Sequence, residues 1–138
     1  MAASELYSLY HSPRPYLTLE DGLQALDILR SRGITVGAIS NFDNRLHDIV
    51  PSLGLNKYLQ FVVTSEDAKS SKPEELIFEF ALNKSGLKNL KPDEILHIGE
   101  ESESMLYLCN WLGNAHLSLI SSMLYLWLDL VCPQNEKV

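Results

Sequence analysis

A chain of 138 residues, 46% apolar and 21% charged, is long enough for one domain with a buried core, and its composition is that of a globular protein. A formal charge of −7 speaks against a general affinity for nucleic acid or an anionic membrane, because both need a basic surface. Cys109 and Cys132 stand outside any metal-type spacing, and no basic stretch followed by an apolar run opens the chain. The expected setting is therefore reduced and intracellular, with free thiols.

Residues 1–17 carry Tyr7, Tyr10 and Tyr16 around the turn Ser12-Pro13-Arg14-Pro15, whose prolines block helix and favour an extended connection. Thr18 and Asp21 have the spacing of a capping box, followed by a helix with Leu19, Leu23, Leu26 and Leu29 or Arg30 on one face and Gly33 at its end. Residues 34–40 are short, apolar and β-branched, which reads as a buried parallel strand. Asp43 can cap the next helix, with Leu46, Ile49, Val50 and Leu53 inward and Gly54 beyond its end. A second strand over 60–64 leads into a polar loop, 65–72. Pro73 then opens a helix whose apolar stripe is Leu76, Ile77, Phe80 and Ala81. Residues 94–98 read as a third strand ending at Gly99, and Ala115–Ile120 as a candidate fourth. From Met123 to Val131 the chain is apolar except for Asp129, well short of the roughly 18 residues a membrane helix needs, so residues 121–131 are expected to pack onto the body or stay loosely attached rather than span a bilayer.

Short apolar strands alternating with helices predict a doubly wound α/β sheet, in which chemistry gathers at the strands' carboxyl ends. Those ends bring Ser40-Asn41, then Lys72 in the following loop, then Glu100, Glu101 and Glu103. The hydroxyl can bind a phosphoryl oxygen, the lysine can offset charge in phosphoryl transfer, and the carboxylates can hold Mg²⁺, which prefers oxygen ligands. Taken singly, Ser40 is a polar strand end, Lys72 a solvated loop residue and the glutamates a favourable helix N-terminus. His97 reads as a core residue, Trp111 and Trp127 as packing residues, and His11, His47 and His116 share no metal-type spacing.

Four segments occur in the order and at the spacing of one family: Ile39-Ser-Asn-Phe-Asp43, Val63-Thr-Ser-Glu66, Lys72-Pro-Glu-Glu-Leu-Ile-Phe78 and His97-Ile-Gly-Glu100. Over residues 5–120 the chain resembles the haloacid dehalogenase-like hydrolases, and the Lys-Pro-x-x-x-Ile-Phe segment is the most specific match. The resemblance implies an incomplete Rossmann-like parallel sheet of the haloacid-dehalogenase type, with the cap and first strand missing. Residues 1–17 would be the remnant of a cap-to-core connection, 18–120 a partial core and 121–138 an atypical apolar tail. Ser40 matches the family's phosphoryl-binding hydroxyl, with Asn41 shaping the site beside it. Lys72 matches the catalytic lysine. Glu100 stands where a metal-holding aspartate is usual, with Glu101 its companion, and the implied cofactor is Mg²⁺.

Two departures set the functional expectation. The family's nucleophile is the first aspartate of an Asp-x-Asp at the end of its first strand, and no Asp-x-Asp occurs here. A further acid is expected five residues after Glu100, but that position is Met105, and Glu101 or Glu103 would have to substitute for it. The chain by itself is accordingly expected to be a truncated, non-catalytic form, the alternative being a Mg²⁺-dependent phosphohydrolase completed by another group. In this family the missing strand lies between those bearing Ser40 and Glu100. Its absence is expected to leave a gap, or to force the neighbours together, and to leave sheet backbone open to self-association or another partner. The partners implied are a small phosphorylated ligand, with neither nucleic acid nor membrane.

Overall fold

The computed structural model describes residues 3–91 and 94–98, and the backbone of 125–128. The order is α1 (Ala3–Tyr10), α2 (Glu20–Ser31), β1 (Val36–Ser40), α3 (Leu46–Ser52), a 3-10 turn (Leu55–Lys57), β2 (Phe61–Thr64), α4 (Ser65–Ala68), α5 (Glu75–Ser85), β3 (Ile95–Ile98) and β4 (Tyr125–Leu128). The strands form one sheet in the order β2-β1-β4-β3, parallel at every pairing. An α/β chain with an all-parallel sheet is the expected fold class. The candidate strand 115–120, both cysteines, Trp111 and His116 lie outside the described residues.

β1 shows why the sequence reads as a continuous apolar run. All five of its residues are buried, and alternate side chains serve opposite faces. Val36 and Ala38 pack with Leu26 of α2 and with Leu46 and Val50 of α3. Ile39 packs on the other face with Phe61 and Val63 of β2 and Ile77, Phe78 and Ala81 of α5. Gly37 is required by this second face. A Cβ there would lie 2.0 Å from the Phe61 ring, so the ring occupies the space a side chain would take. The strand's entrance is sealed by Gln60, whose backbone N–H donates to the Val36 carbonyl (2.8 Å) while its side-chain oxygen accepts from the Val36 N–H (2.6 Å).

Several local expectations are corrected. The prolines at 13 and 15 stand outside any helix, as expected, but the chain turns there rather than running extended, and α1, which the sequence did not signal, forms before them; Tyr16 then donates to the Tyr10 carbonyl (3.1 Å). Thr18 does not cap α2. Leu19 takes that position without a side-chain cap, and its carbonyl accepts from the Leu23 N–H. Leu19 is 76% exposed, so the buried stripe reduces to Leu23, Leu26 and Leu29. The other end is as expected. Gly33, at φ 72°, donates to the Arg30 carbonyl, and Ile34 reaches back to Leu29, which closes the helix with a left-handed residue.

Asp43 does not hold the cap position of α3, which starts after Arg45; its carboxylate accepts from the Arg45 backbone N–H (3.0 Å) and grips the Arg45 side chain. Pro73 precedes α5 rather than opening it, and Glu74 holds the cap position. The buried face of α5 is Ile77, Phe78 and Ala81, whereas Leu76 is 61% exposed and Phe80 lies at the surface. Ile77 and Phe78 are adjacent rather than three or four apart, so the apolar stripe alone left the facing undetermined.

The largest correction is at the sheet's centre. β1 and β3 neither stand apart nor pair with each other; β4 lies between them. Val36, Gly37 and Ala38 pair with Leu126, Trp127 and Leu128, and Ile95–Ile98 with Tyr125–Leu128. The apolar segment expected to pack onto the body thus contributes a strand. No described helix is long and apolar enough to cross a membrane.

Candidate phosphoryl-binding site

The chain leaves β1 on one side to form β2, then crosses back past β1 to reach β3 on the other. That reversal is where an open α/β sheet forms a crevice at its carboxyl edge. The residue at the carboxyl end of β1 is Ser40, buried and level with Thr64 of β2. Asn41 follows, and its side-chain amide reaches across the edge to the loop after α4. Its nitrogen donates to the Lys72 carbonyl (3.0 Å), and its oxygen accepts from the Lys72 N–H (2.6 Å). This pairing makes Asn41 a positioning residue for Lys72. A side chain that satisfies both groups of one residue fixes that backbone as a strand neighbour would.

Lys72 is only 9% exposed, so its stem is enclosed. The Lys72–Pro73 peptide is cis. The approach to it is held at two further points. Ser70 donates to the Glu74 carboxylate (2.7 Å), and the Glu74 N–H donates to the Ser71 carbonyl (2.8 Å). Upstream, Thr64 and Asp67 form a reciprocal capping box that starts α4 directly after β2. Thr64 Oγ1 also donates to Asn44 Oδ1 (3.0 Å), and Asp67 contacts His47 at 2.8 Å. Burial would raise the Asp67 pKa, but the Thr64 N–H and His47 outweigh it, and the carboxyl is held below its ordinary value. The loops after β1 and β2 are therefore tied to each other as well as to the sheet.

His97 sits in β3 one residue before its end, buried and edge-on to Phe78 with ring centroids 5.9 Å apart. Burial, and secondarily the positive charge of Lys72, push its pKa down to about 4. The ring is thus neutral near pH 7, and the lysine's charge is felt across the edge as far as β3.

The loop after Asn41 is held by Arg45. Its guanidinium takes the Asp43 carboxylate with two donors and lies over the rings of Tyr7 and Phe42, at 5.0 and 5.1 Å from their centroids. Tyr7 stacks on His11, whose Nε2 is 3.1 Å from Asp48. α1 is thereby docked over the loop that follows Ser40. The Arg45 side chain holds the Asp43 carboxyl below its ordinary pKa, so Asp43 is an ion-pair partner already engaged.

The structure brings Ser40, Asn41 and Lys72 to one sheet edge, whereas Glu100 and Glu101 lie outside the described residues, as does Met105. Among the described residues no three His, Cys, Asp or Glu side chains converge on a point that could hold a metal ion. Among the acids of the loops after β1 and β2, Asp43 is engaged with Arg45, Asp67 with Thr64 and His47, Glu66 with the Asn44 N–H and Glu74 with Ser70. The described part of the site therefore does not fit a divalent cation by itself. Sequence reasoning missed Thr64, Asp67 and Glu74, all of which position the loop; for the first two the Thr-x-x-Asp spacing was a readable signal.

Strand β1 ending in Ser40, with Asn41 tied to an enclosed Lys72-Pro73 at the same edge, puts together the segments that carry the resemblance to a hydrolase family. Residues 3–101 match the family model of the haloacid dehalogenase-like hydrolases, and the chain belongs to that family. It is 38% identical over 100 residues to the Rhythmically expressed gene 2 protein of Drosophila melanogaster, covering 72% of this chain and 38% of that protein. It is 34% identical over 119 residues to haloacid dehalogenase-like hydrolase domain-containing protein 3 of Mus musculus, covering 86% and 44%. With the Homo sapiens protein of the same name the identity is 36% over 111 residues, covering 80% and 41%. The chain thus spans about two fifths of the length of these relatives. Family members generally use Mg²⁺.

Proposed function

We propose that this chain is a phosphoryl-binding domain of the haloacid dehalogenase-like hydrolase family that does not turn over substrate by itself. The observation that carries the reading is the double hydrogen bond from Asn41 to the Lys72 backbone, which holds the lysine's loop against the end of the Ser40 strand. In this reading the Ser40 hydroxyl donates to a phosphoryl oxygen, and the enclosed Lys72 offsets the ligand's negative charge. The ligand class is a small phosphate monoester. Attack on phosphorus in this family needs an in-line carboxylate, and the sequence holds no Asp-x-Asp to supply it. No step is assigned to Mg²⁺, for which the described residues offer no site.

A second reading, hydrolysis of such an ester with Mg²⁺ supplied, is favoured by one observation. β4 runs parallel between β1 and β3, with Leu128 level with Ala38 and Ile98, and the next residue in the sequence is the acid Asp129. In that reading the Asp129 carboxylate forms a bond to phosphorus as the alcohol leaves, and water then cleaves the acyl phosphate.

Inorganic phosphate titrated into the full chain by calorimetry, beside an aryl phosphate assay with Mg²⁺, tests both. The first reading expects phosphate binding that Lys72→Ala weakens at least tenfold, with turnover at background. Absence of binding refutes it. Turnover abolished by Asp129→Asn but kept in Asp43→Asn replaces the first reading with the second.

A further inference from the structure

β4 fills the slot between β1 and β3 although 26 residues, 99–124, separate it from the end of β3 in sequence. Neighbouring parallel strands lie only about 4.8 Å apart. A chain of that length can extend to roughly 85 Å. A connection of that many residues is long enough for β4 to reach a sheet other than its own. Nor does the ladder confine β4 to its own sheet, since the backbone groups of Val36–Ala38 and Ile95–Ile98 accept any parallel strand in the same register.

We infer that the slot between β1 and β3 is a strand-acceptor site, and that its second occupant is β4 of another copy of this chain. Reciprocal exchange then gives a closed two-fold dimer, each sheet completed by its partner. The chemistry of the segment fits. Tyr125-Leu126-Trp127-Leu128 carries no charge, so outside a sheet it would expose an apolar strand that a second copy can take up. The net charge of −7 opposes the approach of two copies, so exchange should rise with both protein concentration and ionic strength. In the dimer, the strand beside the one that ends in Ser40 comes from the partner. The inference does not depend on phosphate binding, and its test does not measure it.

Full chains at natural abundance and uniformly ¹⁵N-labelled are mixed at high concentration and moderate salt, incubated and examined by native mass spectrometry. Exchange expects dimers of which about half carry one chain of each kind, by random pairing. A parallel variant, Ile98→Cys/Leu128→Cys with Cys109→Ser and Cys132→Ser, uses the register pair Ile98–Leu128. A short bis-maleimide applied to it should link two chains at high concentration and give mostly intrachain links when dilute. Monomer at every concentration overturns the inference. So does a dimer whose links remain intrachain, which would mean contact through another surface.

Discussion

Every residue of β1 is buried, whereas β3, at the far edge of the same sheet, buries only His97 fully and leaves Ile98 47% exposed. β1 and β2 are covered on both faces by helices from a contiguous stretch, α2 to α5, and Phe78, Ile39, Ile77 and Val63 interlock there almost without solvent contact. β3 joins that core through its partly buried Ile95 and Leu96 and through His97, edge-on to Phe78, and reaches β1 through β4. Ser40, Asn41 and Lys72 all belong to the well-packed half. A ligand-binding edge needs fixed backbone, and close packing supplies it there.

The sharpest way to break this contrast is a pair of truncations. Phe78→Ala should cost about 3–5 kcal/mol in urea unfolding, through lost burial and the cavity left behind. Ile98→Ala, at an exposed edge position, should cost no more than about 1 kcal/mol. Equal losses would mean that the two halves are equally well packed.

Acid probes the junction between the halves. His97 holds a proton in the fold only below about 4, while the unfolded chain takes one up near 6.5, so the unfolded state binds more protons between those values. Stability should be intact above about pH 6.5 and fall as the pH drops to 4, by up to about 3 kcal/mol. His97→Leu should flatten that part of a urea-midpoint profile; an unchanged profile would assign the loss to other groups.

Asn41→Ala removes both bonds to the Lys72 backbone and should cost about 1–3 kcal/mol. Amide exchange at Lys72 should quicken by at least tenfold while that at Ile39 changes little. The smallest effect is expected in the loop after Asn41. Asp43 is partly exposed, and Asp43→Asn should cost less than about 1 kcal/mol, fading in high salt. Because the Asp43 pKa is lowered, its ion pair contributes above the ordinary carboxylate pKa and is lost as the pH falls through the lowered value.

Two stretches of this sequence share one pattern and differ in outcome. Thr18-Leu-Glu-Asp21 and Thr64-Ser-Glu-Asp67 both have the capping-box spacing, yet only the second forms it. Thr64 is the buried last residue of a strand, already extended and held by Asn44, so its hydroxyl is aimed before the helix starts. Thr18 is exposed, and among the described residues no side chain hydrogen-bonds to it. Spacing states which bonds are available; tertiary contacts select among them. The strands from 34 to 98 were legible because burial on both faces writes an unbroken apolar run, and Ser40 and Lys72 because they end such runs. The link from Asn41 to Lys72 spans 31 positions and has no local signature. The central place of β4 was hidden for a similar reason, since an apolar segment does not state which strands it will separate.

That central place also bears on how the protein is made. Translation runs from the amino end, so the two strands that flank β4 leave the ribosome before the strand between them exists. For that interval β1, whose side chains are all destined for the interior, has one backbone edge open beside a nascent chain. The sheet can close only after Leu128 has emerged. Slow translation through residues 99–124 lengthens this exposure, and a holding chaperone that binds short apolar segments shortens its consequences.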